Sequence, residues 1–92
     1  MATALTQRKV ILIAGASKGC GPATARQLAS EGHHVVLGAR RSSKLSALVS
    51  EIRQAGGSAE WFALDVNQPD EMREFMAFGE DVHKRVDILI NV

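Results

Sequence analysis

The run Val10-Ile11-Leu12-Ile13-Ala14 leads directly into Gly15, and further glycines follow at Gly19 and Gly21. Within it Val10, Ile11, Leu12 and Ile13 form a continuous β-favouring run, without polar alternation, that reads as a central parallel strand covered on both faces. Glycines at that spacing allow a tight turn and a close backbone approach, and the residues after them are helix-forming. A strand, a glycine turn and a helix N-terminus in this order present backbone N–H groups to an anion, and this spacing suits a dinucleotide pyrophosphate. A glycine-rich connector with no ligand is the alternative. The stretch is not a Walker loop, because no Gly-Lys-Ser/Thr ending is present.

The rest of the chain repeats the strand–helix theme. Pro22 suits the first turn of a helix from about Cys20 to Glu31, and Gly32 ends it. His34 to Ala39 reads as a second strand with Val35, Val36 and Leu37 in its core. Ser42 or Ser43 caps a helix whose Leu45, Leu48, Val49, Ile52 and Ala55 recur at helical spacing until Gly56 and Gly57. Ala59 to Leu64 is a third strand. A third helix runs from Pro69 to His83, with Asn67 or Gln68 as its cap and Met72, Phe75, Met76 and Val82 on its apolar face. Val86 to Asn91 is a fourth strand. Right-handed crossovers turn this order into an α/β fold, a partial Rossmann-type doubly wound parallel sheet of about four strands and three helices. Its ligand crevice lies at the C-terminal ends of the first and fourth strands.

Composition narrows the function classes. The chain has 92 residues, a net charge of +1 and 23% charged residues, too balanced to indicate nucleic acid or an anionic membrane as partner. The apolar run is far shorter than the roughly 18 residues of a membrane span. The single cysteine, Cys20, forms no internal disulfide, and no clustered Cys and His spacing suggests a metal site, so a cytoplasmic setting is expected. His33 and His34 read as a solvated turn, and Trp61 and Phe62 as packing residues on opposite faces of the third strand.

The segment Ala14-Gly15-Ala16-Ser17-Lys18-Gly19-Cys20-Gly21, the pair Asp65-Val66 after the third strand, and Asp87-Ile88-Leu89-Ile90-Asn91 in the fourth together resemble the short-chain dehydrogenase/reductase family. The resemblance covers essentially the whole chain. Ala14 stands where the family usually has threonine, and Val92 where a second asparagine is common.

The resemblance implies a nicotinamide cofactor held by Gly15, Ser17, Lys18, Gly19, Cys20 and Gly21. Ser17 is expected near the adenosine phosphate and Asn91 beside the nicotinamide ribose. Asp65 is expected to accept from the adenine amino group, with the Val66 backbone against the ring. A site for NAD carries a carboxylate at the end of the second strand, whereas here Ala39 is followed by Arg40 and Arg41. A small neutral residue and a guanidinium suit a 2′-phosphate, and family members using NADP often carry a basic residue at the position of Lys18, so NADP is expected ahead of NAD. A solvated loop charge is the alternative for Lys18 and Arg41.

The family's chemistry uses a tyrosine, a lysine and a serine, and the chain contains no tyrosine. No catalytic residue is therefore assigned. The expectation is the N-terminal NADP(H)-binding portion of an oxidoreductase that exchanges hydride with a carbonyl or alcohol, residues 1–92 forming a half-domain that stops after the fourth strand. The alternative is a non-catalytic nucleotide-binding or subunit-interaction module, self-associating through that exposed strand.

Overall fold

The computed structural model describes residues 9–15, 20–40, 42–65, 67–83 and 86–91. In chain order they form β1 (Val10–Ala14), α1 (Cys20–Ser30), β2 (His34–Ala39), α2 (Ser42–Gln54), β3 (Ser58–Ala63), α3 (Pro69–His83) and β4 (Ile88–Asn91). The four strands make one parallel sheet in the order β3-β2-β1-β4. The order runs outward from β1 through β2 to β3 and then reverses to β4, which is the topological switch of a doubly wound sheet.

Alternation along the central strands sends side chains to two separate cores. Ile11 and Ile13 of β1 and Val35 and Leu37 of β2 meet Ala25 and Ala29 of α1 and Leu45, Leu48, Val49 and Ile52 of α2. On the other face Val10, Leu12, Ala14 and Val36 pack with Leu64 and with Phe75 of α3, flanked by Phe62, Met72, Met76 and Phe78. Phe75 is fully buried, and Phe62 lies 5.9 Å from it and 5.2 Å from Phe78 between ring centroids. Gly79 lets α3 lie close to the sheet, since a Cβ there would come within 2.9 Å of Leu12.

Two helices end in the same way. Gly32 (φ 95°) donates to the Ala29 carbonyl at 3.0 Å and His33 to Leu28 at 3.2 Å; Gly56 (φ 90°) donates to Arg53 at 3.0 Å and Gly57 to Ile52 at 2.9 Å. Both are Schellman caps, in which a left-handed residue lets the last carbonyls be satisfied before the chain turns into the next strand.

Several sequence expectations shift. β3 begins at Ser58 and ends at Ala63, because Ser58 lies opposite His34 while Leu64 is held beyond the ladder by its N–H to the Ala39 carbonyl at 3.0 Å. β4 begins only at Ile88, Asp87 being spent on closing the sheet end. His33 and His34 are not a solvated turn: both are buried. His33 Nδ1 accepts from the Lys9 N–H at 3.1 Å, and the His34 ring lies between the Ser58 hydroxyl and Glu60 Oε1, the latter at 2.9 Å. The Gly32 cap carries the chain straight into β2 between β1 and β3, so these rings find partners there. Trp61 is 40% exposed and packs less than expected, because β3 is the sheet's outer strand. At the other margin Ile88 and Leu89 of β4 are also exposed. Among the described residues, no helix is long and apolar enough to cross a membrane.

Candidate functional site

The C-terminal ends of the strands form one continuous edge. Ala14 is in register with Gly38 on one side and Asn91 on the other, and Ala39 with Ala63. The residues that follow, Gly15, Arg40 and Asp65, therefore succeed one another along this edge. Gly15 has φ 81° and donates its N–H to the Gly38 carbonyl at 2.7 Å, which extends the β1–β2 pairing into the turn. That positive φ is strained for any residue with a Cβ.

From this turn the chain enters α1 at Cys20, exposed, with Gly21 buried beside it. The first turn of α1 carries no acidic residue, and Pro22 stands where its missing N–H costs nothing. A helix N-terminus at a sheet edge without its own carboxylate retains its positive end for an anion from outside. Ser17, Lys18, Gly19, Arg41 and Val66 lie outside the described residues. Asn91 belongs to β4, opposite the end of β1 across the switch point.

At the end of β2, Ala39 is buried and Arg40 is exposed at the bend that follows. No carboxylate follows β2 here. Gly38 is required by packing: a Cβ would sit 2.4 Å from Leu64 Cδ2 and 3.0 Å from Phe75 Cζ. Absence of a side chain there lets Leu64 lie down and carry the next residue, Asp65, up to the edge.

Asp65 is half-buried and bonded through three of its polar atoms. Its N–H donates to Glu71 Oε1 at 2.8 Å, its Oδ1 accepts from the Asn67 N–H at 2.9 Å, and its carbonyl accepts from Gln68 at 3.0 Å. The Gln68 carbonyl in turn accepts from Glu71 and Met72 at 3.1 Å, placing Gln68 immediately before the first turn of α3. Sequence reasoning named Asp65 as a candidate and did not name Glu71, which meets its N–H here. Its signal was an acidic residue at the third helical position behind Pro69, where a side chain can reach back over the turn.

Two other features lie away from this edge. Asp87 donates its N–H to the Val10 carbonyl at 2.9 Å and accepts from the Val10 N–H through Oδ2 at 2.8 Å, clamping the opposite end of β1. A groove of about 410 Å³ runs between the C-terminal ends of α1 and α2, lined by residues including Ala29, Gly32, Ile52 and Gly57. Arg26 and Glu51 pair across it through two hydrogen bonds, one of them 3.2 Å, and this pairing holds the Glu51 carboxyl below its ordinary value. Both features lie at the edge remote from the glycine turn.

The chain matches the family model described as short chain dehydrogenase over residues 9–92. It is 35% identical over 88 residues to the short-chain reductase protein NovJ of Streptomyces niveus, covering 96% of this chain and 34% of that protein. A metagenomic short-chain oxidoreductase solved with NADP superposes with a TM-score of 0.83 at 43% identity, over 88% of this chain and 37% of the other. The NADH-dependent reductase A1-R′, solved with NAD, gives 0.84 at 32% identity over 99% and 38%. The chain thus spans about a third of the length of the curated relatives it matches. With a parallel sheet reversing at β1, a positive-φ glycine directly after β1, and a family match across all four strands, the chain belongs to the short-chain dehydrogenase family.

Proposed function

We propose that this chain is the NADP(H)-binding portion of an oxidoreductase that exchanges hydride between the nicotinamide and a carbonyl or alcohol substrate. The observation that carries the reading is the end of β2, where buried Ala39 is followed by exposed Arg40 at the sheet edge that also holds the glycine turn. A small neutral residue leaves room for a 2′-phosphate, and a guanidinium supplies charge-assisted hydrogen bonds to it.

The donor set fits a dinucleotide along the whole edge. Gly15, Cys20 and Gly21, with Ser17, Lys18 and Gly19 between them, would hold the pyrophosphate against the start of α1. Arg40 and Arg41 would bind the adenosine 2′-phosphate, Asp65 would accept from the adenine amino group, the Val66 backbone would flank the ring, and Asn91 would line the nicotinamide ribose. When bound, the nicotinamide supplies or accepts the hydride. These residues bind and orient; none is assigned a proton transfer, since the 92 residues contain no tyrosine. A cytoplasmic setting is part of the same reading, supported by the lone Cys20.

Exposed Ile88 and Leu89 on β4 favour a second reading, a non-catalytic nucleotide-binding or interaction module that self-associates through this strand.

Calorimetric titration with NADPH and NADH tests the proposal. Saturable binding is expected, tighter for NADPH, and Arg40→Asp should weaken NADPH about tenfold or more while sparing NADH. Equal losses for both cofactors would overturn the assignment of Arg40. No binding, together with a concentration-dependent oligomer, would favour the interaction module.

A further inference from the structure

We propose that Glu71 is a positioning residue for the adenine end of the site, an inference that rests on Asp65 accepting from the adenine amino group. Asp65 is fixed from two sides. The sheet holds the residue before it, through the Leu64 N–H on the Ala39 carbonyl at 3.0 Å. The helix holds Asp65 itself, through the Glu71 carboxylate on its N–H at 2.8 Å. Of the two carboxylate oxygens of Asp65, Oδ1 is committed to the Asn67 N–H at 2.9 Å, and Oδ2 has no partner among the described residues.

The arrangement separates the tasks of two carboxylates. Glu71 sits in the first turn of α3 and is half-buried, and its Oε1 is turned back onto the N–H of Asp65. Its charge strengthens that bond and suits the N-terminal end of the helix. Asp65 contributes N–H, carbonyl and Oδ1 to the turn and retains Oδ2 as an acceptor at the sheet edge. Without Glu71 the sheet contact of Leu64 and the turn contacts of Asp65 with Asn67 and Gln68 survive, but the half-buried N–H of Asp65 loses its partner and the turn its tie to the side chain of α3, so the Asp65 carboxylate is held less closely in its place at the sheet edge.

A purely structural Glu71 would alter stability and leave ligand discrimination alone. The test therefore compares NADPH with its hypoxanthine analogue, in which a carbonyl replaces the adenine amino group, by calorimetry on the wild-type chain and on Glu71→Ala, Glu71→Gln and Glu71→Asp. The wild type is expected to prefer NADPH about tenfold or more, because Asp65 meets a donor in one ligand and an acceptor in the other. Glu71→Ala should reduce the preference to about twofold or less, and Glu71→Gln should keep it, since the amide oxygen still accepts from the Asp65 N–H. Glu71→Asp retains the charge but falls one methylene short, and it carries the test should circular dichroism show that Glu71→Ala does not fold; its preference should drop likewise. A full preference in Glu71→Ala or Glu71→Asp would overturn the role of Glu71 and leave the reading of Asp65 standing. Loss of preference in Glu71→Gln would overturn positioning by this hydrogen bond. A wild type that binds NADPH without preference, or does not bind it, would overturn the reading of Asp65 and this inference with it.

Discussion

The two edges of the sheet are built from the same kinds of residue and treat them differently. At the edge remote from the glycine turn, polar groups are spent on one another: His33 on the Lys9 N–H, His34 on Ser58 and Glu60, Asp87 on both backbone groups of Val10, and two Schellman caps on α1 and α2. At the other edge the backbone is just as firmly tied, through Gly15 to Gly38 and Ala39 to Leu64, yet Arg40 is exposed and one Asp65 oxygen has no partner among the described residues. On the proposed reading, the first edge is the scaffold and the second, with Arg40 exposed, is the working end. Among the described residues the difference lies in where side-chain tips go, since the strand ends carry backbone hydrogen bonds at both edges.

The sharpest way to break this comparison is to disturb the working edge through packing alone. Gly38→Ala puts a Cβ 2.4 Å from Leu64 Cδ2 and 3.0 Å from Phe75, both buried and unable to retreat cheaply. Urea denaturation should show a loss of about 2–3 kcal/mol from overpacking. Because Leu64 carries Asp65, NADPH affinity should fall with it, measured where the variant is still folded. Stability lost with affinity unchanged would mean that the edge tolerates displacement and that Leu64 does not set the place of Asp65.

Asp87→Ala attacks the scaffold edge instead. It removes the carboxylate that accepts from the buried Val10 N–H, and a loss of about 1.5–3 kcal/mol is expected for a hydrogen bond to a charged group. NADPH affinity of the folded fraction should stay within about twofold, a difference of under half a kcal/mol, because the clamp sits at the far end of β1. A matching fall in affinity would show that the two ends of β1 are coupled, and the division into scaffold and working edge would fail.

The same division explains what could be read from the sequence. β2 was legible to the residue, and β1 and α3 closely, because continuous apolar runs and a helix-opening proline are local signals. The caps at Gly32 and Gly56 were legible for the same reason. The bounds of β3 and β4 and the burial of His33 and His34 were not, since they depend on pairings such as His34 with Ser58, 24 positions apart, and Val10 with Asp87, 77 apart. Trp61 was misjudged because a single strand does not reveal that it will be the outer one. In the candidate site, the positive φ of Gly15 and the exposure of Arg40 fall where the glycine spacing and the end of β2 had drawn attention. Glu71 stayed hidden because its carboxylate works on a backbone N–H six positions away and resembles an ordinary acidic residue in a first helical turn.

The smallest effect tests the helix layer that rests on the scaffold edge. Glu51 is held below its ordinary value of 4.5, first by its hydrogen bond to Arg26, opposed by a smaller burial effect, and further by the charge of that guanidinium. A carboxyl whose folded value is depressed contributes stability that is present above its unfolded value and lost as the pH falls through the folded one. The window therefore opens near 4.5 and extends downward. Both side chains are about half exposed, at 51% and 54%, so solvent and salt screen the pair. Thermal midpoints from pH 6 down to pH 3 should fall slightly less steeply in Glu51→Gln than in the wild type, and the difference should shrink in high salt. Identical slopes would mean that the bridge between α1 and α2 adds nothing to stability, and that these helices are held on the sheet by Ala25, Ala29, Leu48 and Ile52 alone.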